Sequence, residues 1–374
     1  MFKTYYIYYD NSLNNIIIII YTIMSSVMKF LCVIGAVCAN IESHSNVYKW
    51  TNYELEFHPE WSTFNNFMIS HHKNYSHTDV RDKFKNFVIN LQIVRSHHND
   101  NYDLGMNKYG DLSAEEFKSH INAGCYKDTS VDNYSPCDDY TTRDVSPMKS
   151  LDWRSFGVVT PVKNQGKCGS CWSFSATGAM ESAWMLHTGE DITLSEQQLI
   201  DCSTAYGDNG CNGGMMPDAF GYAIDYGMCT EEEDVYDAID GNCTYCLPHA
   251  HFDSCKLVQP NNELALQNAL HNGPVSVAIE ADQKAFQFYT GGIIDTPSCG
   301  TNLDHGVLVV GYGTDNGKDY WTIKNSWGPD WGEDGYVRIA KTNRTDYSGM
   351  CGVAMQPSFP VVKDDSRVRI CYCA

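Results

Sequence analysis

Four side chains in this sequence have the types and contexts of a nucleophilic site. In Gln165-Gly-Lys-Cys168-Gly-Ser-Cys171-Trp-Ser-Phe-Ser, glycine, serine and two cysteines precede an apolar-periodic run. That run predicts a helix with Cys171 in its first turn. Exposed amides and the helix dipole there favour a thiolate and lower its pKa. A thiolate nucleophile needs a base, and His305 in Asn302-Leu-Asp-His-Gly stands just before the apolar run Val307-Leu-Val-Val. The base needs an orienting partner on its other ring nitrogen. Asn325 in Lys324-Asn-Ser-Trp-Gly supplies an amide oxygen, and Trp327 a cover against water. The Gln165 amide and the backbone N–H of Cys171 are candidate donors to a developing oxyanion. The Cys-x-x-Cys spacing also fits metal or redox chemistry. No second ligand pair stands at zinc spacing, and the residues before Cys168 do not clearly supply the strand of a thioredoxin-like unit.

These residues need rigid elements to aim them. Helical patterns cover 171 to about 187, 195–201, 217–226 and 262–271. Strand-like runs follow at 275–279, 307–310, 320–324 and 336–339. A helical half before a strand-rich half predicts two lobes with a cleft between them. Upstream, Trp61 to His71 and Phe84 to Val94 read as two more helices. The Ser/Thr/Asp-rich stretch 125–150, with Pro136 and Pro147, reads as a linker with the domain boundary near 140–149.

The chain has 374 residues and a formal net charge of -20, from 26 basic and 46 acidic residues. That balance argues against nucleic-acid partners and against a basic membrane-surface patch. It fits either plain solubility or an acidic compartment. Sixteen cysteines are uncommon in a cytosolic chain. Sequons at Asn74, Asn133, Asn242 and Asn343 point the same way, to the secretory pathway. The segment MKFLCVIGAVCAN from Met28 reads as a signal peptide beginning at Met24 or Met28 and ending near Ala39. A longer membrane anchor over 16–39 is the rival reading, weakened by its polar interruptions.

At this point the residues resemble a family. QGKCGSCWSFS at 165–175, GCNGGMMPDAF at 210–220, LDHGVLVVGYG at 303–313 and YWTIKNSWGPDWGEDGY at 320–336 are similar to the papain family of cysteine peptidases, in its cathepsin L-like branch. The resemblance covers roughly 55–362. It implies an α+β fold with a helical lobe and an antiparallel β-barrel-like lobe, preceded by a helical inhibitory propeptide. It implies a thiolate–imidazolium pair at Cys171 and His305, with Asn325 orienting the ring and Gln165 completing the oxyanion hole. Cys171 must then be free. The resemblance places Gly213, Gly214, Met215, Met216, Ala278, Asp304, Gly306, Trp327 and Gln356 along the substrate cleft. Two methionines and small residues there suit a hydrophobic side chain two residues before the scissile bond.

The upstream region also matches. The propeptide's helical motif falls on Asp79, Lys83, Phe87, Asn90, Val94 and His98, with charge or bulk kept at 79, 83 and 94 and a departure at 98. Its second motif falls on Gly105, Asn107, Tyr109 and Asp111. The resemblance therefore implies an extension and signal at 1–39, a propeptide at 40–146 with its inhibitory domain at about 55–115, and a mature enzyme at 147–374. It implies disulfides Cys168–Cys211, Cys202–Cys243 and Cys299–Cys351. Cys246–Cys255 would close a short loop, and Cys229, Cys371 and Cys373 are left unplaced. Eight of the 13 histidines lie between His44 and His120, so propeptide release by their protonation at acidic pH is expected.

The partners this implies are protein and peptide substrates, the chain's own propeptide as inhibitor, and cystatin-type inhibitors. No cofactor, metal or nucleic acid is expected, and no membrane attachment of the mature enzyme. The destination is a lysosome or other acidic vesicle, or the exterior. Three competing readings stand beside it: an inactive binding or storage relative, a ligase using the same thiol, and an exopeptidase with a blocked cleft. Intact Cys171, His305, Asn325 and Gln165 oppose the first. The separation of His249 from His251, with no visible insertion, opposes the last.

Overall fold

The computed structural model describes residues 55, 57–121, 136–143 and 148–362. The chain divides into two units. Met1–His58 is the first, of which only residues 55, 57 and 58 are described. Everything below concerns the second, Pro59–Ala374. The proposed signal peptide, Asn133, Cys125, Cys371 and Cys373 lie outside the described residues.

The upstream part is a small helical domain. Helices α1 (Trp61–Ser70) and α2 (Asp79–Ser96) cross through an aromatic cluster. Phe87 lies 5.2 Å from Phe64 and 5.0 Å from Phe67, ring to ring. Strand β1 (Tyr102–Leu104) and helix α3 (Ala114–His120) follow, the helix opened by a capping box between Ser113 and Glu116. The motif residues have visible work. Buried Asn90 donates to the carbonyls of Gly110 and Leu112 at 2.9 and 2.8 Å. Asp111 accepts from Lys73 at 3.1 Å and from the Tyr75 hydroxyl. His98, where the motif departs, is exposed.

The downstream part holds helices α4 (Cys171–Thr188), α5 (Glu196–Cys202), α6 (Met216–Tyr226), α7 (Glu263–Ala269) and α8 (Lys284–Gln287). Its strands are β3 (Leu151–Asp152), β4 (Phe252–Leu257), β5 (Val275–Ile279), β6 (Tyr289–Ile294), β7 (His305–Asp315), β8 (Lys318–Lys324), β9 (Tyr336–Ala340) and β10 (Ser358–Val362). Between the two parts, β2 (Asp138–Asp139) joins the sheet, so the stretch expected as a linker contains an ordered strand. The sheet order is β1-β6-β9-β8-β7-β5-β10-β4-β2, with β3 also on β7. Most pairs are antiparallel, but β6–β9 and β2–β4 are parallel. The order is an open path, so the barrel-like expectation becomes an open mixed sheet whose two edge strands both come from upstream of the peptidase region.

Two apolar cores flank the site. One lies among the strands and the other around α4 and α6. Helix α4 is buried along most of its length, and its buried Ser, Thr and Glu side chains lie among apolar ones. Hydroxyls stitch it to the sheet: Ser175 Oγ donates to Val307 O at 2.7 Å, and Ser276 Oγ to Ser175 O at 2.9 Å.

Candidate active site

The site forms where the first turn of α4 meets the first residues of β7. Cys171 is the first residue of α4, as expected, and is fully buried. His305 is the first residue of β7, paired with Ile279 of β5. The N–H of Gly306 donates to Cys171 Sγ at 3.1 Å. Glycine eases this approach, since a Cβ would lie 3.2 Å from Cys171 O and from Trp172 Cα, closer than an ordinary contact. The strand can therefore come within hydrogen-bond range of the sulfur.

The imidazole is held as expected. His305 Nε2 lies 2.8 Å from Asn325 Oδ1, and the same oxygen accepts from Ser326 N at 2.8 Å. The second bond fixes the amide's orientation, and the first engages Nε2 of the ring. Trp327 stacks on the ring at 4.9 Å and an interplanar angle of 30°. Burial pulls the His305 pKa down to about 4, opposed by the Asn325 bond. Gln165 is buried beside the cysteine turn. Its Nε2 donates to Cys168 O at 3.1 Å, and its Oε1 accepts from Ser326 Oγ at 2.6 Å.

Two residues that sequence reasoning did not single out complete this frame. Ser326 anchors both amides. The Tyr236 hydroxyl donates to Gln165 O at 2.6 Å and lies 2.7 Å from Ser170 Oγ. Ser326 sat inside a quoted motif and was legible in principle. Tyr236 is 71 residues from Gln165 and carried no local signal.

Several of the cleft candidates lie close together. Met216 and Ala278 are fully buried in one apolar cluster that Met215 and Leu303 also touch. Gly214 packs where a Cβ would lie 2.3 Å from Asp208 Oδ1 and 2.7 Å from the Trp172 ring. Burial pushes the Asp304 carboxyl up to about 7, against its bond from Ala281 N at 2.8 Å. Gln356 is half-buried.

Two expectations about cysteine are corrected. Cys171 is disulfide-bonded rather than free. A sulfur in a disulfide carries no thiolate, so this state is chemically capped. Nor does Cys246 pair with Cys255. The described bonds are Cys137–Cys255, Cys168–Cys211, Cys202–Cys243, Cys229–Cys246 and Cys299–Cys351. Cys255 lies on β4, which runs beside β2, so Cys137 reaches it first. Cys246 instead follows the loop whose chain bridges Met228 to Ala250, next to Cys229.

The helical domain roofs this site. The Phe117 and Tyr109 rings meet Trp327 edge-on at 5.7 and 6.0 Å. Lys108 Nζ donates to Trp327 O at 2.6 Å and pairs with Asp330 at 2.7 Å.

The papain family cysteine protease profile matches residues 147–361, and the cathepsin propeptide inhibitor domain profile matches residues 64–117. This chain belongs to the papain family of cysteine proteases. Within that family it is 44% identical to a cathepsin L-like peptidase of Aedes aegypti over 326 residues, covering 81% of this chain and 93% of the relative. It is 46% identical to the oryzain beta chain of rice over 288 residues, 74% of this chain but only 61% of that protein's length. Among solved structures, digestive procathepsin L 3 from Tenebrio molitor larval midgut superposes with a TM-score of 0.74 at 37% identity. That superposition covers 82% of this chain and all of the beetle enzyme. The family's helical-plus-sheet architecture and its inhibitor domain are thus both present in this chain.

Proposed function

We propose that this chain is the zymogen of a cysteine endopeptidase with Cys171 as nucleophile and His305 as acid and base. The observation that carries the reading is the alignment of Cys171 Sγ, the Gly306 amide and the Asn325-held imidazole beneath Trp327. A thiol reductant first supplies two electrons to open the Cys171 disulfide. The freed thiolate, favoured by the first turn of α4 and by the imidazolium, attacks a peptide carbonyl. His305 passes its proton to the leaving amine, then takes one from the water that releases the acyl group. Asn325 holds the ring, and Gln165 with the Cys171 N–H receives the oxyanion.

The buried apolar cluster of Met216 and Ala278, with Met215 and Leu303 packed against it, supports a hydrophobic residue two positions before the cut. The inhibitor is the chain's own helical domain, released by acid. His120 supports this: its pKa is pulled down to about 4 by burial first, then by Lys167, Lys73 and Lys108, against Asp111. Once exposed, that ring returns to near 6.5. The released state therefore binds more protons, and docking weakens as pH falls from about 6.5 towards 4. His305, lowered by the same cause, acts in the same sense. Asp304, raised to about 7, acts in the opposite one. Entry to the secretory pathway, with an acidic vesicle or the exterior as destination, is supported by the five disulfides among the described residues and by the exposure of Asn74, Asn242 and Asn343. Cystatin-type inhibitors belong to the same reading, since they would meet the open cleft.

The test is hydrolysis of a blocked Phe-Arg fluorogenic peptide after acid and thiol treatment, wild type beside Cys171→Ala, with intact mass recorded. Activity in wild type alone, with loss of the helical domain, supports the reading. A processed, reduced and inactive sample overturns it.

A further inference from the structure

The short stretch between the inhibitor and protease matches is built into the protease part. The inhibitor profile ends at residue 117 and the protease profile begins at 147. Residues 136–143 lie between, where a discarded linker was expected. They are held instead by six kinds of contact, each with the protease part.

Cys137 is bonded to Cys255, whose side chain is fully buried in β4. Strand β2 then runs parallel to β4, pairing Asp138 with Lys256 and Asp139 with Leu257. Lys256 Nζ reaches Asp138 at 2.9 Å, and Tyr140 N extends the ladder to Leu257 O at 2.7 Å. The Tyr140 ring meets Phe359 edge-on at 5.3 Å, while its hydroxyl donates to Asn268 Oδ1 at 2.8 Å. Asn268 also clasps the backbone of Arg143, accepting from its N–H at 2.9 Å and donating to its carbonyl at 2.8 Å. Pro136 lies against α6, where a Cβ on Gly221 would come within 2.9 Å of it.

We propose that residues 136–143 remain on the mature enzyme when the inhibitor domain leaves, as a permanent edge strand tied by Cys137–Cys255. The physical reason is separability. The inhibitor domain docks through side-chain contacts and one short strand pair, all of them reversible. The 136–143 segment carries a covalent bond whose sulfur on one side is shielded from solvent, and it covers a sheet edge that would otherwise expose unpaired backbone groups. Where the chain is cut just after 143, the segment becomes a short second chain of the enzyme. Where the cut lies upstream of 137, it becomes the enzyme's N-terminal strand. In both cases the mature protein begins before the protease-family match does.

The inference rests on the removal of the inhibitor domain proposed above. Processing is therefore carried out on the full chain by acid with the least thiol that supports hydrolysis, or by added pepsin if the chain does not process itself. Failure to self-process is thereby read separately from failure of the tether. Free thiols are alkylated, and denatured intact mass is measured with and without subsequent reduction, for wild type and Cys137→Ser. The expected unreduced wild-type mass includes residues 137–143, with a Cys137–Cys255 cross-linked peptide in the digest. If the product is two-chain, reduction releases the segment, and Cys137→Ser loses it without reduction. An unreduced wild-type product that is a single chain starting after residue 143, with Cys255 alkylated or paired elsewhere, overturns the proposal.

Discussion

The two edges of the sheet are both covered by residues from upstream of the protease domain, and they are held in different ways. At one edge β1 pairs with β6 through only three residues. The rest of that attachment is non-covalent, with Tyr109, Leu112 and Phe117 buried in the apolar core and polar bonds around them. Asn107 Nδ2 donates to Gln287 O at 2.8 Å, Gln287 Nε2 donates to Tyr109 O and Leu112 O at 3.0 and 3.1 Å, and Lys118 pairs with Asp282 at 2.6 Å. This edge also carries His120 and the aromatic roof over Trp327. At the other edge β2 is fastened to β4 by a disulfide. A cover that must leave is held by non-covalent contacts alone, some of which protons and salt can weaken. A strap that needs no release can be covalent. Proximity to the sheet says nothing about which is which; the chemistry of the attachment does.

Cutting the covalent edge should have the largest effect. Cys137→Ser removes a link across 118 residues, which in the chain-entropy account contributes about 4 to 5 kcal/mol. Urea unfolding of the unprocessed chain should register most of that loss, while peptide hydrolysis by the activated enzyme stays near wild type. An unchanged midpoint would mean the strap carries no load. At the reversible edge, Phe117→Ala empties a fully buried ring site against Trp327, a change that costs about 3 to 5 kcal/mol in comparable cores. The expected result is a leaky zymogen, hydrolysing peptide at neutral pH in reductant before any processing. Tight latency in this variant would move the roof's anchor elsewhere.

His120→Gln should sharpen the comparison without breaking it. It removes one group that takes up a proton on release, so acid activation should shift to lower pH and become shallower by up to about one proton. Rates of processing against pH, wild type beside variant, measure this, and superimposable profiles would exclude His120 as a trigger. Lys118→Gln should have the smallest effect. Its ammonium is half exposed, so the pair with Asp282 is worth under about 1 kcal/mol. Its signature is a reduced salt dependence of processing, with little change in rate at high salt.

Much of the site was legible in order along the chain. The helix expected from Cys171 to about 187 runs to Thr188, and β5 occupies 275–279 as expected. His305 does open a strand, although β7 is longer on both sides than its apolar core at 307–310. Strands β4, β6 and β10 were not expected. Each lacks the clean alternation of a local signal: β4 is FDSCKL, β6 contains two glycines, and β10 contains a proline. They are strands because neighbours complete their ladders.

Residue type and spacing by themselves singled out Cys171, His305 and Asn325 as candidates for nucleophile, base and orienting amide, and the family resemblance marked the helical motif whose Asn90 holds Gly110 and Leu112. Those features are written within short windows, where side-chain periodicity and helix-end chemistry act. The tertiary structure decided what depends on distant meetings: Tyr236 behind Gln165, and the choice of Cys137 over Cys246 as partner for Cys255. The reason is the same for each. A disulfide or a buried hydroxyl bond is chosen by which groups the folded backbone brings within a few ångströms, and separation along the chain does not encode that distance.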